Sequence, residues 1–341
     1  MPGLLASQAL GHANFNAASA LLINLVRTCP GGKTIALVGP TQAGKSVIFR
    51  RLVSRLTADV RVENTGDMPI VATHVATSQD GRISPKHLTM KLLAMLRHPM
   101  YMHIGSFEEH VRYTPARGRD ESTLRVALER ALEARQTLYV VVDEAHHLTH
   151  TKDPTVRANV LQSIKCLGAL DRTLVLIGGY ELAYRGLFDS AHFAGRLVVV
   201  ELAPYGKSDA DKQEWLRILK VFAGQLSLAH EDTLYEQAEL LLSASHGSLG
   251  LLEKILWQAQ VRSQATDRPI NAQAIRSSLP PKAEHGAILT DIERGKEALQ
   301  RFEHVTMQRP SPSEPNAKRA VPFKRKASRR LPEPIKVAGD G

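Results

Sequence analysis

Cysteine is almost missing from this 341-residue chain. Its two cysteines, Cys29 and Cys166, lie far apart and form no C-x-x-C pair. That excludes a disulfide scaffold and a cysteine metal site, and it points to a reducing compartment. No apolar stretch approaches the ~20 residues that a membrane span requires. The first fifteen residues, "MPGLLASQALGHANF", lack the charged start of a signal peptide. A cytoplasmic protein with no membrane partner is expected. Internal repeats are absent too, so the fold is not read as a repeat array.

Acidic residues fall short of basic ones, 34 against 44, for a net charge of +10. The excess is not spread evenly. Residues 309–341 hold nine Lys or Arg and only three acids, together with six of the 18 prolines and few large apolar side chains. Such a segment cannot bury enough surface to offset its ordering entropy. A disordered basic tail is therefore expected, and the remainder, nearly neutral, is long enough for one large core or two smaller ones.

What is present begins with "IALVGPTQAGKSVIF", Ile35 to Phe49. The octet Gly39-Pro40-Thr41-Gln42-Ala43-Gly44-Lys45-Ser46 fits G-x-x-x-x-G-K-[ST]. In that pattern glycines let successive backbone N–H groups close around phosphate oxygens, and the following helix aims its positive end at the same group. Lys45 is expected to reach the β- and γ-phosphates of ATP and the Ser46 hydroxyl to hold Mg²⁺. The flanks agree: "TIALV" reads as a strand and "SVIFRRLVSRL" has helical spacing.

A second chemical signal follows about a hundred residues later. The apolar run Leu138 to Val142 ends in Asp143-Glu144. A buried parallel strand presents its terminal carboxylates at the sheet's C-terminal edge, the edge that also carries the phosphate loop. Asp143 is expected to support Mg²⁺ and Glu144 to orient and deprotonate the attacking water. His146 and His150 are four apart, but no H-E-x-x-H occurs, so they are read as lining the segment after the acidic strand. "DEAH" also spells a helicase signature, but a helicase of that type needs a second nucleotide-binding lobe, and only a helical segment and the tail remain for it.

Around these motifs, apolar periodicity places helices over 14–28, after Ser84-Pro85, over 120–136 and over 156–170, alternating with strand-like runs at 68–77, 172–182 and 196–205. Strands alternating with helices argue for an α/β fold with a parallel sheet flanked by helices. After Tyr205 the pattern turns all-helical. Ser208-x-x-Asp211 resembles a capping box, with Trp215, Leu219, Phe222 and Leu226 on one face of the helix it opens. Gly247 is placed to end a later helix. The expected division is an N-terminal helical segment (1–30), an α/β core (31–205), a small all-helical domain (206–284), an extra helix (285–308) and the tail (309–341).

The order phosphate loop, "VVVDEAHHL", "LVLIGGYEL", "FAGRLVVVELAPY", then helices, resembles an AAA+ ATPase. More narrowly the chain resembles the TnsC/TniB family of transposition regulators, related to MuB and IstB, from about residue 14 to 280. "VATHVATSQDGRISPKHLTMKLLAMLRHP" and the glycine-containing lid turn "GSLGLLEKILWQAQ" carry the narrower likeness. The resemblance implies an AAA+ P-loop core with a helical lid, and ATP-dependent homo-oligomerisation as rings or filaments on duplex DNA. It also implies that the assembly links a target-selection protein to the transposase.

Further roles follow only from the resemblance. Arg196, just before the last core strand, is similar to an arginine finger acting on a neighbour's nucleotide, with Arg185 the other candidate. A γ-phosphate sensor is due near the tip of the strand that holds Gly178-Gly179, where Tyr180 is a weak substitute. The lid arginine of some relatives has no clear counterpart: Ser248 and Leu249 stand in its place, with Lys254 nearby. Related proteins grip DNA between the second strand and the acidic strand, where this chain has Arg112, Arg117 and Arg119. Mobile arginines contact phosphates well, and no base-reading helix is evident, so sequence-independent backbone binding is expected. The alternatives are an AAA+ ATPase in a replication-initiator or secretion-associated role, and a nucleotide-gated adaptor with little turnover.

Overall fold

Ile35 and Leu37 point to one side of strand β1 (Thr34–Gly39), and Ala36 and Val38 to the other; all four are fully buried. A strand that is apolar on both faces must lie inside a sheet covered on both sides. In the computed structural model, which describes residues 11–75, 85–99, 120–150, 154–168, 171–188, 193 and 195–307, β1 does so. The arginines Arg112, Arg117 and Arg119 and the tail 309–341 lie outside the described residues. The chain divides into residues 1–302, described below, and 303–341, of which only a last stretch of helix to Met307 is described.

In chain order the core runs α1 (Ala13–Thr28), β1, α2 (Lys45–Asp59), β2 (Ile70–His74), α3 (Pro85–Met95), α4 (Glu121–Ala134) and β3 (Tyr139–Asp143). A 3₁₀ turn (Ala145–Thr149), α5 (Pro154–Leu167), β4 (Thr173–Gly179), a π-helical turn (Ala183–Leu187) and β5 (Leu197–Glu201) complete it. The five strands are parallel in the order β2-β3-β4-β1-β5. Alternate residues split the core in two. Ala36, Val38, Val140, Val142, Leu174 and Leu176 pack under α3, α4 and α5, while Ile35, Leu37, Val141, Val175 and Ile177 meet Phe15, Leu22 and Val26 of α1 and Ile48, Leu52 and Leu56 of α2.

The helical part consists of α6 (Asp209–Ala223), α7 (Thr233–Glu236), α8 (Ala238–Ala244), α9 (Leu249–Thr266), α10 (Ala272–Arg276) and α11 (Lys282–Met307). Ser208 caps α6, its hydroxyl accepting from Asp211 N at 3.1 Å, a contact of the kind that contributes about 1 kcal/mol. Trp215, Leu219, Phe222 and Leu226 are buried together in a third cluster with Leu252, Ile255 and Ile270. The first turn of α1 is tied to this part: Glu214 Oε1 accepts from Ala13 N at 2.9 Å. Among the described residues no helix is long and apolar enough to cross a membrane.

Candidate functional site

Gly39 ends β1 where a Cβ would lie 2.7 Å from the Leu202 carbonyl oxygen, so only glycine lets the chain leave the sheet beside the residue that follows β5. The loop then turns through positive φ at Gln42 (55°) and Gly44 (96°), conformations that glycine adopts without strain. Gly44 opens α2 with no side-chain cap. A helix start of this kind leaves backbone N–H groups ready for an anion. Lys45 folds back along the loop, donating to Gly39 O at 3.1 Å and Pro40 O at 2.5 Å. Burial pulls its pKa down, while Glu144, Asp291 and Asp143 oppose that shift through their charges.

Asp143 is the last residue of β3 and is buried. Its Oδ1 accepts from Glu144 N at 2.9 Å. His74 Nδ1 stands 3.2 Å from Oδ2, an ion-pair contact only when the imidazole is charged, and the buried Oδ2 accepts no hydrogen bond. A buried carboxylate oxygen without a partner is costly unless a cation answers it. With the exposed Ser46 hydroxyl at the start of α2, the donors are oxygens, a set suited to Mg²⁺ rather than to a soft metal.

Glu144 turns through φ 55° and keeps a side chain that is 40% exposed toward the cleft. Its Oε2 lies 3.3 Å from His146 Nδ1. That nitrogen already accepts from Gly179 N at 3.3 Å. Burial foremost, then the neighbouring His147, lowers the His146 pKa to about 4. A neutral imidazole accepting at Nδ1 has no proton there to give to Glu144. Glu144, His146 and His147 bring one donor atom each to within 4.8 Å of one another, but His146 is held by β4, and His150 Nε2 contacts Glu181 Oε2 at 2.6 Å.

The tip of β4 is Gly178-Gly179, which has no side chain to offer a phosphate. A Cβ on Gly178 would meet His146 N at 2.9 Å, so glycine there makes room for the 3₁₀ turn. Tyr180 is fully buried and turned the other way, its hydroxyl donating to Glu201 Oε1 at 2.5 Å; burial raises its pKa far above the ordinary phenol. The weak substitute suggested by the sequence therefore does not reach the cleft. Glu181, Tyr184 and Arg185 on the next turn do line it, with Arg185 3.6 Å from Glu181. Arg196 stands apart. It is exposed at the start of β5, and Leu197 pairs with Thr34, so it lies at the end of the sheet opposite the phosphate loop.

The lid turn sits directly on the phosphate loop. Ser248 Oγ donates to Thr41 O at 3.0 Å, and Gly250 N donates to Gln42 O at 3.0 Å. Leu249 lines the cleft, whereas Lys254 is paired with Glu284 at 2.6 Å. The opposite wall is α11, to which the sequence reading assigned no role: Ala287, Ile288, Asp291 and Arg294 line the cleft from one helical face. Their spacing was visible in the sequence, but nothing local says what that face meets. The cleft measures about 1430 Å³, with Phe15, Phe222 and Leu249 giving it an apolar portion, room for a nucleotide and more.

Residues 30–185 match the model of a family described as "AAA domain". Solved structures with the same fold include the Aeropyrum pernix ORC2 protein in its ADP form, at TM-score 0.50 and 14% identity over 77% of this chain and 66% of that one. The Aeropyrum pernix ORC1 protein in complex with DNA aligns at TM-score 0.50 and 16% identity over 89% of this chain and 80% of that one. This chain thus spans just under two thirds of the ORC2 chain. No curated protein matches the sequence. The parallel sheet, phosphate loop and helical C-terminal region make up the AAA+ P-loop fold.

Proposed function

We propose that this AAA+ protein is an ATPase whose nucleotide state controls its assembly on duplex DNA, and that it regulates transposition. One observation carries the ATPase reading: Lys45, at the end of the phosphate loop, shares a cleft with Glu144 and feels the charges of both Glu144 and Asp143. The loop N–H groups of Thr41–Ser46 and Lys45 bind the phosphates, and the apolar portion by Phe15 and Phe222 receives the base. Glu144 takes a proton from the attacking water as its oxygen bonds to the γ-phosphorus and the bond to ADP breaks. Ser46 and Asp143 would hold Mg²⁺, which would offset the negative charge of the phosphates.

Arg196 completes a neighbour's site rather than its own, and Arg112, Arg117 and Arg119 contact DNA phosphates. DNA binding and transposition rest on the likeness of motif order and segment lengths to the TnsC/TniB regulators. A target-selection protein and a transposase are then the partners. The second reading is a replication-initiator role, favoured by the ORC proteins among structures of this fold. ATP turnover with and without duplex DNA, and imaging of the ATP-bound protein on DNA, test the proposal. ATP-dependent rings or filaments, lost in Lys45→Ala, are expected. Nucleotide and DNA binding without turnover would leave only the adaptor role, and nucleotide-independent DNA association would remove the switch. A transposition assay with a co-expressed transposase, with and without this protein, separates the two DNA roles.

A further inference from the structure

Helix α11 is an unusual wall for a phosphate site, because it brings an acid to it. Asp291 lines the cleft that holds Lys45, and its Oδ1 accepts from the Tyr184 hydroxyl at 2.8 Å. Each of the charges Lys45 and Asp291 is felt at the other, and Arg185 adds to the pull on the carboxylate. Burial and the nearby Glu181 work against its ionised form. The helix is held close by packing: Ile292 is buried in the core, and the Phe188 and Phe302 rings lie 4.8 Å apart. Gly295 rests against the buried Tyr180 ring, where a Cβ would fall 2.2 Å from Cγ. A glycine inside a helix weakens it, and here it allows the close approach.

We propose that Asp291 is an acid of the phosphate site and that α11 senses the third phosphate of ATP by losing the Tyr184–Asp291 hydrogen bond. The inference rests on the nucleotide reading of the cleft. Lys45 donates to the Gly39 and Pro40 carbonyls and feels Asp291 as one of the acids facing the same cleft. A γ-phosphate takes Lys45 for itself and brings more negative charge than Asp291 carries. That charge repels the Asp291 carboxylate, so the Tyr184–Asp291 clasp opens and α11 keeps its apolar contacts and the polar ones of its first turn, Lys254–Glu284 and His246 Nε2 to His285 O. ADP has no third phosphate and leaves the clasp closed. A closed clasp thus lowers the apparent affinity for ATP by the fraction of molecules that must open.

The test uses the full chain, titrated with ATPγS and with ADP, with hydrogen exchange followed over residues 287–302. Asp291→Asn is expected to tighten ATPγS binding on the order of tenfold, the size of one like charge removed at close range, with ADP affinity within about twofold. In the wild type, exchange over α11 should rise with ATPγS but not with ADP, and in Asp291→Asn it should be raised without nucleotide. Tyr184→Phe should move both readings the same way by less, and it keeps the test open if Asp291→Asn fails to fold. Weaker ATPγS binding by either variant, or an unchanged ratio of the two affinities, overturns the proposal. Failure of the wild type to bind either nucleotide overturns the reading of the cleft instead.

Discussion

Glu144 is useful because His146 does not neutralise it. The glycines at the end of β4 leave space for His146, the Gly179 amide occupies its Nδ1, and burial keeps the ring uncharged near neutral pH. A protonated histidine 3.3 Å away would pair with the carboxylate and spoil it as a base. Glu144→Gln preserves size and hydrogen bonding but cannot take a proton. It should bind ATP within about twofold of wild type and turn it over roughly 10²–10⁴-fold more slowly, the usual size of a lost general base. Paired nucleotide-binding and phosphate-release measurements check this, and wild-type turnover would remove Glu144 from the role. Lys45 shows the complementary arrangement. Its ammonium rests on its own loop carbonyls, beside the backbone that would cradle a phosphate.

Element ends decide how the parts are joined. His12 caps α1 through Nδ1, which accepts from Phe15 N at 3.4 Å and from the Tyr205 hydroxyl at 2.8 Å. Burial is the main cause that lowers its pKa to about 4, against an ordinary 6.5. Between those values the unfolded chain binds the proton and the folded chain does not, so stability rises with pH there. The contribution is complete above about pH 6.5, is lost as pH falls toward 4, and changes no further below. His12→Asn, which keeps a cap acceptor, should flatten that slope in denaturant titrations between pH 6.5 and 4; an unchanged slope would assign the dependence to other histidines. At the lid, a Cβ on Gly250 would meet Gln42 O at 2.4 Å. Gly250→Ala should therefore lift the lid turn from the phosphate loop and weaken nucleotide binding about tenfold or more, leaving the cooperative unfolding of the lid cluster nearly unchanged. Unaltered affinity would show that this contact is incidental. These joints also show what the sequence can tell. The phosphate loop, the acidic strand end and the Ser208 cap were legible because each is local. The break at Gln237 between α7 and α8 interrupts a continuous apolar pattern, and α10 is too short for periodicity, although Asn271 caps it. The burial of Gly295 against Tyr180 depends on residues over a hundred positions apart, so no window along the chain could reveal that α11 walls the cleft.

At the scale of the whole molecule, Arg196 stands at the end of the sheet away from its own chain's phosphate loop, and its proposed role lies in a neighbour's site. β1 and β5 are parallel with Thr34 opposite Leu197, so Arg196 stands where β1 enters the sheet. Gly39, five residues on, hands the chain to the phosphate loop at the other end, about 17 Å away by strand rise. An arginine there cannot serve its own chain's phosphates through the sheet, but it is free to meet a neighbour's. Such a residue can supply about 10³–10⁵ in rate. Arg196→Ala should therefore cost turnover in assemblies while isolated monomers bind ATP as wild type does. Mixing Arg196→Ala with Glu144→Gln gives the decisive reading. Each variant alone spoils every interface, but in mixtures some interfaces join an intact arginine to an intact base. Activity should reappear and peak near equal proportions, in contrast to two defects that act within one chain. No recovery at any ratio, in subunits shown by size and by labelled pairs to co-assemble, would confine Arg196 to its own subunit and leave the ~17 Å separation as grounds for giving it no catalytic part.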